Sequence, residues 1–423
     1  MSELSLTSPR ARGLMILTAH PEGCRTHAKS QIERARAAFP KPLPGAEGKT
    51  ALILGNTTFG YGSSTSIALK EAGFSKIIGI GYETPPTFRG DKVAMAPAGW
   101  YLTEALHQAY PEQRTYFGDA FSDDTRDRVI ADLQDSGEKI DLLLYSVAAP
   151  RRSHLEETWT SSLKVVGDPL DVVGLDFKSG EHKEVHLEPA SELEIEHTRR
   201  VMGGDDLALW ANALLYADRA NPGFKIASLS YIGPDFTPLR RIYWDGALGA
   251  AKQHIDATTR SLNTRLEKRL GGAAFTCMNP AVVTGASVAI PAMLKYIADY
   301  LAVVDSGIGA YDDPLDVGIN FAKALYGGSD GGADENWRGM LDEEGRLRLD
   351  ADELVGETQS AIRKLWNEAQ PGPVAPLTAR GLELFRTEFM QLYGWEVPGV
   401  DYEAPTEFAP ELGEKQGVIN LLE

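Results

Sequence analysis

The residue pair with the clearest capacity for chemistry is Tyr243 and Lys252, which are separated by eight residues. A phenol with an ordinary pKa near 10 becomes a better hydrogen-bond and proton donor to a developing oxyanion when a cation lies close to it. On one continuous helix this spacing would place the two side chains on opposite faces. We therefore predict that Tyr243 lies in a loop entering the helix that carries Lys252, so that its phenol folds back toward the ammonium.

These two side chains need a strand and a helix to hold them, and the stretch from 225 to 270 supplies both. Lys225 to Tyr231 is typical of a buried strand, because it is rich in apolar residues and its central polar residues are small hydroxyls. The helix should begin near Asp245, an N-cap residue type followed by residues that favour helix. A packed phenol and a solvated lysine are the structural alternative for any such pair.

A second stretch has the order expected of a phosphate loop. Thr50 to Leu54 is an apolar strand, followed by the segment GNTTFGYGSS and a helix from about Ser64. Glycines let the backbone approach a pyrophosphate, and the helix N-terminus offers free N–H groups. The next strand, Lys76 to Tyr82, ends at Glu83, which can accept hydrogen bonds from a ribose 2'-hydroxyl and would repel a 2'-phosphate. NADH is thus predicted over NADPH, with a solvated glutamate as the open alternative.

Strands and helices continue to alternate as far as Val147, which predicts an α/β fold with a doubly wound parallel, Rossmann-like sheet. Ligands of such sheets bind at the carboxyl ends of the strands, where Asp119, Ala120, Val147 and Ala148 fall. From about 150 to 220 the alternation breaks, and we expect an insertion with a β-hairpin and extra helices on the substrate side.

The domain organisation predicted from the sequence is a single large domain covering 1–423. No linker isolates a second core. The composition of 327–345 turns to Gly, Asp and Glu, which indicates an exposed loop or lid margin. We expect the remainder to add two helices and an acidic, loosely packed tail.

Charge and cysteine content exclude several classes of protein. The chain has 60 acidic against 42 basic side chains and a net charge of -18, which disfavours a nucleic-acid or anionic-membrane surface. Cys24 and Cys277 match no metal-ligand spacing, so we expect a reduced cytoplasmic protein without a metal site. Neither a signal peptide nor an apolar run long enough to span a membrane is found.

Several short motifs, in this order, give the chain a specific resemblance. They are Ala19-His20-Pro21 with Gly23-Cys24, the glycine loop, Ala98-Gly99-Trp100-Tyr101, Gly118-Asp119-Ala120-Phe121-Ser122-Asp123, Ala148-Ala149-Pro150-Arg151-Arg152, Val201-Met202-Gly203-Gly204-Asp205, Ile242-Tyr243-Trp244-Asp245-Gly246 and Asp342-Glu343-Glu344-Gly345-Arg346. With them, nearly the whole chain resembles the trans-2-enoyl-CoA reductase family, also known as FabV-type enoyl-acyl-carrier-protein reductases.

The resemblance implies an enlarged short-chain dehydrogenase/reductase that uses NADH to reduce the 2,3 double bond of an enoyl thioester. The acyl carrier would be CoA or acyl carrier protein, and the enzyme a monomer or homodimer. By the same resemblance Tyr243 is the catalytic acid, Lys252 a cofactor-binding partner and Tyr231 a substrate contact. The cofactor contacts implied in this way are Gly55, Gly60, Tyr61, Tyr82, Glu83, Asp119, Ala120, Val147, Ala148, Lys252, Val282, Val283 and Thr284.

The chain departs from the family pattern in two places. Four residues separate Gly55 from Gly60, where the family usually has three, and the turn between Tyr231 and Tyr243 is about two residues longer than usual. Two alternatives therefore stay open. One is a diverged family member that reduces a different activated alkene, and the other is a non-catalytic dinucleotide-binding protein.

Overall fold

The computed structural model describes residues 4–328, 336–408 and 411–422. Its strands, in chain order, are β1 (Ala11–Arg12), β2 (Met15–Ile16), β3 (Thr50–Leu54), β4 (Lys76–Gly81), β5 (Thr87–Arg89), β6 (Lys92–Met95), β7 (Arg114–Phe117), β8 (Ile140–Tyr145), β9 (Arg151–His154), β10 (Glu157–Thr160), β11 (Leu170–Leu175), β12 (His182–Leu187), β13 (Ala220–Ser230), β14 (Ala273–Met278), β15 (Leu347–Arg348) and β16 (Val418–Asn420).

The helices are α1 (Pro21–Ala38), α2 (Tyr61–Glu71), α3 (Ala98–Ala109), α4 (Asp123–Ser136), α5 (Glu192–Met202), α6 (Asp205–Tyr216), α7 (Thr237–Tyr243), α8 (Ala247–Leu270), α9 (Met293–Asp305), α10 (Pro314–Tyr326), α11 (Gly356–Glu368) and α12 (Pro376–Gln391). Two short 3-10 helices cover Asn336–Met340 and Glu414–Gln416. No helix among the described residues is both long enough and apolar enough to cross a membrane.

The chain divides into two compact units, and unit 1 consists of Met1–Ala120, Pro314–Asn336 and Thr387–Glu423. Its parallel strands lie in the order β3-β4-β7-β16. All of β3 after Thr50 is buried, which fits a sheet covered on both faces. Helices α1, α2, α3 and α10 pack against one another in this unit.

Unit 2 consists of Phe121–Asp313 and Trp337–Arg386. Its parallel strands lie in the order β15-β14-β13-β8. Helix α8 packs on β13 and β14, and α5 and α6 pack on α8. All six residues of β14 are buried, and its one hydroxyl side chain, Thr276, bonds Thr259 of α8 at 3.1 Å between the two oxygens.

The predicted fold class is confirmed: the described residues form an α/β structure with eight parallel strands, four in each unit. The predicted hairpin is also present, because β11 and β12 pair antiparallel from Leu170 with Leu187 to Leu175 with His182. The expectation of one large domain stays a prediction.

The prediction that Tyr243 lies in a loop is wrong, because Tyr243 is the last residue of the short helix α7. Pro238 occupies the first turn of α7, where its fixed φ favours helix and its missing N–H costs nothing. Gly246 then precedes α8, so Lys252 lies on a separate helix as expected. The conclusion that the two residues do not share one helix therefore holds for a different reason.

The prediction of a loosely packed acidic tail is wrong as well. β16 pairs in parallel with β7, from Val418 with Thr115 to Asn420 with Phe117, and Val418 is buried. Sequence analysis also missed two antiparallel hairpins, β5 with β6 and β9 with β10. A third short antiparallel pair near the start of the chain, β1 with β2, was not predicted in detail.

The exposed loop predicted for 327–345 falls partly outside the described residues, which omit 329–335. Its described part contains a 3-10 helix over Asn336–Met340. Trp337 of that helix is buried against Phe275 of β14, with the ring centroids 4.8 Å apart.

Candidate functional site

The carboxyl ends of three parallel strands bring together most of the predicted cofactor residues of unit 1. Gly55 follows β3, Tyr82 and Glu83 follow β4, and Asp119 and Ala120 lie just beyond β7. The strands are in register where they end, since Leu54 pairs with Ile80, and Gly81 with Phe117. These residues therefore share one edge of the sheet, where parallel α/β sheets bind their ligands.

The glycine loop is fixed to β4 by a backbone hydrogen bond and by two side chains. Gly55 has a φ of 89°, which favours glycine, and its N–H donates to the carbonyl of Ile80 at 2.7 Å. The side chain of Asn56 lies where a Cβ on Gly79 would be, and that of Thr57 lies where a Cβ on Gly81 would be. Asn56 and Thr57, two of the four residues between Gly55 and Gly60, thus pack into space that the two strand glycines leave open.

The N-terminus of α2 has the character of a phosphate site. Gly60 precedes Tyr61, the half-buried first residue of the helix, and the first turn has no acidic residue and no side-chain cap. Two buried oxygens beside it, Ser64 Oγ and Asn56 Oδ1, have no hydrogen-bond partner among the described residues. Free N–H groups and a positive helix end suit the pyrophosphate of a dinucleotide.

Glu83 is turned inward from the edge of the sheet. Its carboxylate accepts a hydrogen bond from Thr57 Oγ1 at 3.2 Å, and a Cβ on Gly99 of α3 would collide with it. Burial raises the pKa of Glu83 to about 8, and the Thr57 hydrogen bond opposes that shift. Tyr82, by contrast, is 67% exposed. The role of Glu83 at a ribose stays a prediction.

Tyr231 and Tyr243 meet in unit 2, just beyond the carboxyl end of β13. Their ring centroids are 5.3 Å apart and the rings are nearly perpendicular, at 85°. Both side chains are buried, and Tyr243 is only 1% exposed. The hydroxyl of Tyr243 donates to the carbonyl of Pro291 at 3.3 Å, which is a long hydrogen bond for a hydroxyl. That hydrogen is therefore weakly held and can be given to another acceptor.

Burial decides the protonation state of Tyr243. It raises the pKa of Tyr243 well above its ordinary value, because a phenolate would lose its hydration. Tyr243 is accordingly a neutral phenol at physiological pH and can act as a hydrogen-bond donor or acid.

Lys252 lies in the second turn of α8 with its side chain partly buried. Desolvation of the ammonium lowers the pKa of Lys252 to about 8, against the opposing charge of Asp256 one turn further along the helix. It makes no hydrogen bond or ion pair with the residues that the structure describes. Such a cation is available to hydroxyl groups of a ligand.

The remaining predicted residues of unit 2 also follow strands. Val147 and the exposed Ala148 lie just beyond β8, and Val282, Val283 and Thr284 follow β14. The second loop is held by side chains, since the N–H of Val283 donates to the Tyr311 hydroxyl at 3.1 Å and that of Thr284 to Ser287 Oγ at 2.9 Å. The loop can therefore offer a fixed backbone to a cofactor.

Sequence analysis missed Glu353, a fully buried carboxylate that accepts a hydrogen bond from the hydroxyl of Tyr231 at 3.0 Å. It lies in the acidic stretch Asp350-Ala351-Asp352-Glu353, which is typical of a solvated surface. No local pattern distinguishes it from its neighbours, because its contacts come from residues far away in the sequence.

Three sequence profiles match consecutive parts of the chain. They are described as the NAD(P)H binding domain of trans-2-enoyl-CoA reductase, the trans-2-enoyl-CoA reductase catalytic region and the enoyl reductase FAD binding domain, and they match residues 6–88, 94–314 and 341–406. The first contains the glycine loop and Glu83, and the second contains Tyr231, Tyr243 and Lys252.

Relatives named as enoyl reductases match the chain over nearly its whole length. An enoyl-[acyl-carrier-protein] reductase [NADH] of Pseudomonas paraeruginosa is 36% identical, over 94% of this chain and 96% of its own. A trans-2-enoyl-CoA reductase [NADH] of Clostridium perfringens is 35% identical, over 94% and 97%. The crystal structure of Clostridium acetobutulicum trans-2-enoyl-CoA reductase in complex with NADH superposes with a TM-score of 0.85, at 29% identity, over 96% of this chain and 98% of that one.

The flavin named in the third profile can be tested against the residues of unit 2. Between β15 and α11 lie three carboxylates, those of Asp350, Asp352 and Glu353, and Glu357 adds a fourth in the first turn of α11. Arg348 is already paired with Asp350 at 2.7 Å. Because carboxylates at a helix N-terminus repel a pyrophosphate, the N-terminal end of α11 does not suit the pyrophosphate of FAD.

Proposed function

Because the chain belongs to the trans-2-enoyl-CoA reductase family, we propose that it catalyses the NADH-dependent reduction of the 2,3 double bond of an enoyl thioester. The substrate class is an acyl thioester, carried by CoA or by acyl carrier protein. The observation that carries the proposal is the buried pair of tyrosines at the carboxyl end of β13, with Tyr243 protonated and its hydrogen weakly held.

When bound, NADH supplies the hydride that adds to the β-carbon. Negative charge then builds on the thioester oxygen, and the hydroxyl of Tyr243 is the donor that stabilises it. Because Tyr243 is buried, its hydrogen bond to that oxygen acts in a poorly solvated site, where it is stronger than in water. Removing one such donor costs about 10²- to 10³-fold in turnover.

Lys252 is proposed to hold the ribose hydroxyls of the cofactor with its ammonium. A lysine with no competing partner among the described residues, and a pKa lowered to about 8, keeps its charge at neutral pH while remaining sensitive to added base. Val147, Ala148 and the backbone of Val282 to Thr284 are proposed as further cofactor contacts, because each follows the carboxyl end of a strand.

The unit 1 edge is proposed to carry dinucleotide contacts of its own. Gly55, Gly60 and Tyr61 would contact the pyrophosphate at the N-terminus of α2, which has no acidic residue and no side-chain cap. Tyr82, Glu83, Asp119 and Ala120 follow the next two strands along the same edge. The packing of Asn56 and Thr57 against strand glycines supports this role, since the longer loop is accommodated and not displaced.

A steady-state assay of NADH oxidation tests the proposal. Crotonyl-CoA and longer enoyl-CoA thioesters should be reduced, whereas non-thioester enones of similar size should be reduced much more slowly. Faster reduction of the enones would indicate a different activated alkene as substrate. If no enoyl substrate supported NADH oxidation, the proposal would be refuted.

A further inference from the structure

Glu353 is the centre of a buried hydrogen-bond cluster in unit 2. Its Oε1 accepts from the hydroxyl of Tyr231 at 3.0 Å and from that of Tyr296 at 2.6 Å. Its Oε2 accepts from the backbone N–H of Ala281 at 2.8 Å. The side chain has no exposed surface. Three donors thus converge on one carboxylate, which is the arrangement expected when a buried carboxylate is held ionised.

The cluster is fixed from the side of α11 as well. The amide of Gln359 donates to the hydroxyl oxygen of Tyr296 at 2.9 Å and to the carbonyl of Glu353 at 2.7 Å. Tyr296 therefore receives one hydrogen bond and gives its own hydrogen to Glu353. With both neighbours held in this way, the carboxylate cannot turn away without breaking several buried hydrogen bonds.

The cluster also sets the direction of the hydrogen bond that Tyr231 can make. A phenol has one hydrogen, and Tyr231 has committed it to Glu353, so its oxygen offers only lone pairs to any other group. Tyr243, whose ring packs edge-on against Tyr231, keeps its hydrogen on a weak bond to Pro291. Tyr231 is thus a fixed hydrogen-bond acceptor, and Tyr243 is an available donor.

We propose that Glu353 is a positioning residue for the reduction, which holds Tyr231 as a hydrogen-bond acceptor beside Tyr243 and anchors the backbone at Ala281. The inference rests on the proposed function, since it assigns Tyr231 to the substrate of that reaction. There its lone pairs can accept from an amide N–H of the carrier arm and not from the thioester oxygen, which is itself an acceptor. A single carboxylate would then fix both a substrate-binding side chain and the start of the loop from Val282 to Thr284, the predicted cofactor contacts.

Glu353 is the member of this cluster that titrates near neutral pH. Desolvation raises the pKa of Glu353 to about 7, although its hydrogen bonds oppose that shift. The groups that face it are Tyr231 after β13, Tyr296 and Tyr300 on α9, the neutral Gln359 on α11, and Asp350. The pKa of each of the three tyrosines is raised above its ordinary value, and Asp350 is paired with Arg348.

Protonation of Glu353 would reverse the direction of a hydrogen bond. A protonated carboxyl has a hydrogen of its own, which must go to one of the tyrosine oxygens and release that hydroxyl's hydrogen. The active, ionised form therefore predominates above pH 7 and is lost as the pH falls through that value. This predicts an acidic limb in the pH profile of kcat/KM for the thioester.

The variant Glu353→Gln keeps the shape of the side chain and reverses its polarity. Its amide oxygen can stay on the Ala281 N–H, and its NH2 group then faces the two tyrosine oxygens, so Tyr231 becomes a donor. We expect kcat/KM for crotonyl-CoA at saturating NADH to fall about 10- to 100-fold, the scale of a hydrogen bond to a charged group. The acidic limb should disappear. Saturating NADH is used because the pKa of Glu83 is raised to about 8. Any effect of its titration on cofactor binding is then absent from the pH profile.

A double-mutant cycle with Tyr231→Phe separates positioning from a general structural role. If Glu353 acts through Tyr231, then Glu353→Gln should lower kcat/KM by less than about threefold when it is made in the Tyr231→Phe variant. If the two residues act independently, the two losses in kcat/KM should multiply in full. Tyr231→Phe alone should also lose the acidic limb although Glu353 is intact. Tyr296→Phe is the matched control, because it keeps the bond between Tyr231 and Glu353 and should keep the limb.

Several outcomes would overturn the inference. Multiplicative losses in the cycle, or an acidic limb that persists in Glu353→Gln, would show that the carboxylate does not act through Tyr231. If Glu353→Gln does not fold, an acidic limb that persists in Tyr231→Phe has the same meaning. Absence of turnover in the wild-type protein would refute the proposed function, whereas normal wild-type turnover with independent variants would refute the role of Glu353 alone.

Discussion

Replacing Lys252 by Met should inactivate the protein and, at the same time, make its fold more stable at pH 7. The ammonium of Lys252 is desolvated and makes no hydrogen bond or ion pair with the described residues, so the folded state holds a charge there that the nearby charge of Asp256 offsets only in part. Met has a similar length and no charge. Loss of the cation should lower kcat and weaken NADH binding together, since the same ammonium is proposed to hold the ribose hydroxyls.

The size of the stabilisation follows from the pKa of Lys252, which burial lowers from 10.5 to about 8. Each step of one in pKa corresponds to about 1.4 kcal/mol, so the folded state disfavours the ammonium by about 3 kcal/mol at pH 7. Because the folded-state pKa lies below the unfolded one, the folded wild type loses this proton above pH 8. The advantage of Met should therefore shrink as the pH rises from 8 toward 10.5.

The measurement is the free energy of unfolding in urea at pH 7 and at a pH between 8 and 10.5, with NADH affinity measured in parallel. Lys295→Met is the matched control, because Lys295 is also buried on a helix of unit 2 but is paired with Asp299 and lies 4.7 Å from the centroid of the Trp366 ring. Removing its charge leaves Asp299 without a cation and should cost about 3–5 kcal/mol.

The reasoning would be refuted if Lys252→Met destabilised the fold as Lys295→Met does. That result would mean that the folded protein gives the Lys252 ammonium a partner strong enough to compensate its burial. A stabilised variant with unchanged NADH affinity would leave the energetics intact and remove the ribose role of Lys252.

Three further substitutions test separate parts of the structure. Tyr243→Phe should lower kcat about 10²- to 10³-fold with NADH affinity within about twofold of wild type; substantial residual turnover would mean that another group is the acid. Glu83→Ala should improve the use of NADPH more than it harms that of NADH, and an unchanged ratio of kcat/KM for the two cofactors would place Glu83 away from the ribose. Val418→Asp, which puts a carboxylate at a buried position of β16, should lower the free energy of unfolding by about 2–4 kcal/mol. If Val418→Asp lowered the free energy of unfolding by less than Asn420→Asp does at an exposed position of the same strand, β16 would not be a stable part of its sheet.

Features governed by local sequence could be predicted well. Thr50–Leu54 is a strand with the predicted bounds, because an apolar run that ends at turn residues is itself a signal for a strand. His20 has a local structural role: its Nδ1 accepts from the N–H of Gly23 at the start of α1, and burial lowers the pKa of His20 to about 4.

Features governed by distant contacts could not be predicted. β16 has only three residues, and its place beside β7 depends on pairing across about 300 residues of chain, which no local pattern records. The positions of Asn56 and Thr57 depend on Gly79 and Gly81 of the neighbouring strand, because glycine has no side chain to occupy that space.

The candidate site shows the same division. Tyr243 and Lys252 were singled out from their types and spacing, and Tyr243 lies on the short helix α7 and not in a loop. The expected approach of its phenol to the Lys252 ammonium stays a prediction, because the hydroxyl of Tyr243 donates to the carbonyl of Pro291. Glu353 was missed because a buried carboxylate in an acidic stretch is identified by its donors, and these come from Tyr231, Ala281 and Tyr296. The direction of the Tyr231 hydrogen bond follows from the structure and not from the sequence.

The most direct test of the proposed reaction is the fate of the hydride. Crotonyl-CoA should be reduced with NADH that carries deuterium at the transferable position of the nicotinamide, and the thioester product analysed by mass spectrometry and NMR. We expect a butyryl thioester with one deuterium at C3, and no deuterium from the cofactor at C2, where the proton comes from solvent. Deuterium at C1 in an aldehyde or alcohol product, or a product without deuterium, would contradict reduction of the 2,3 double bond.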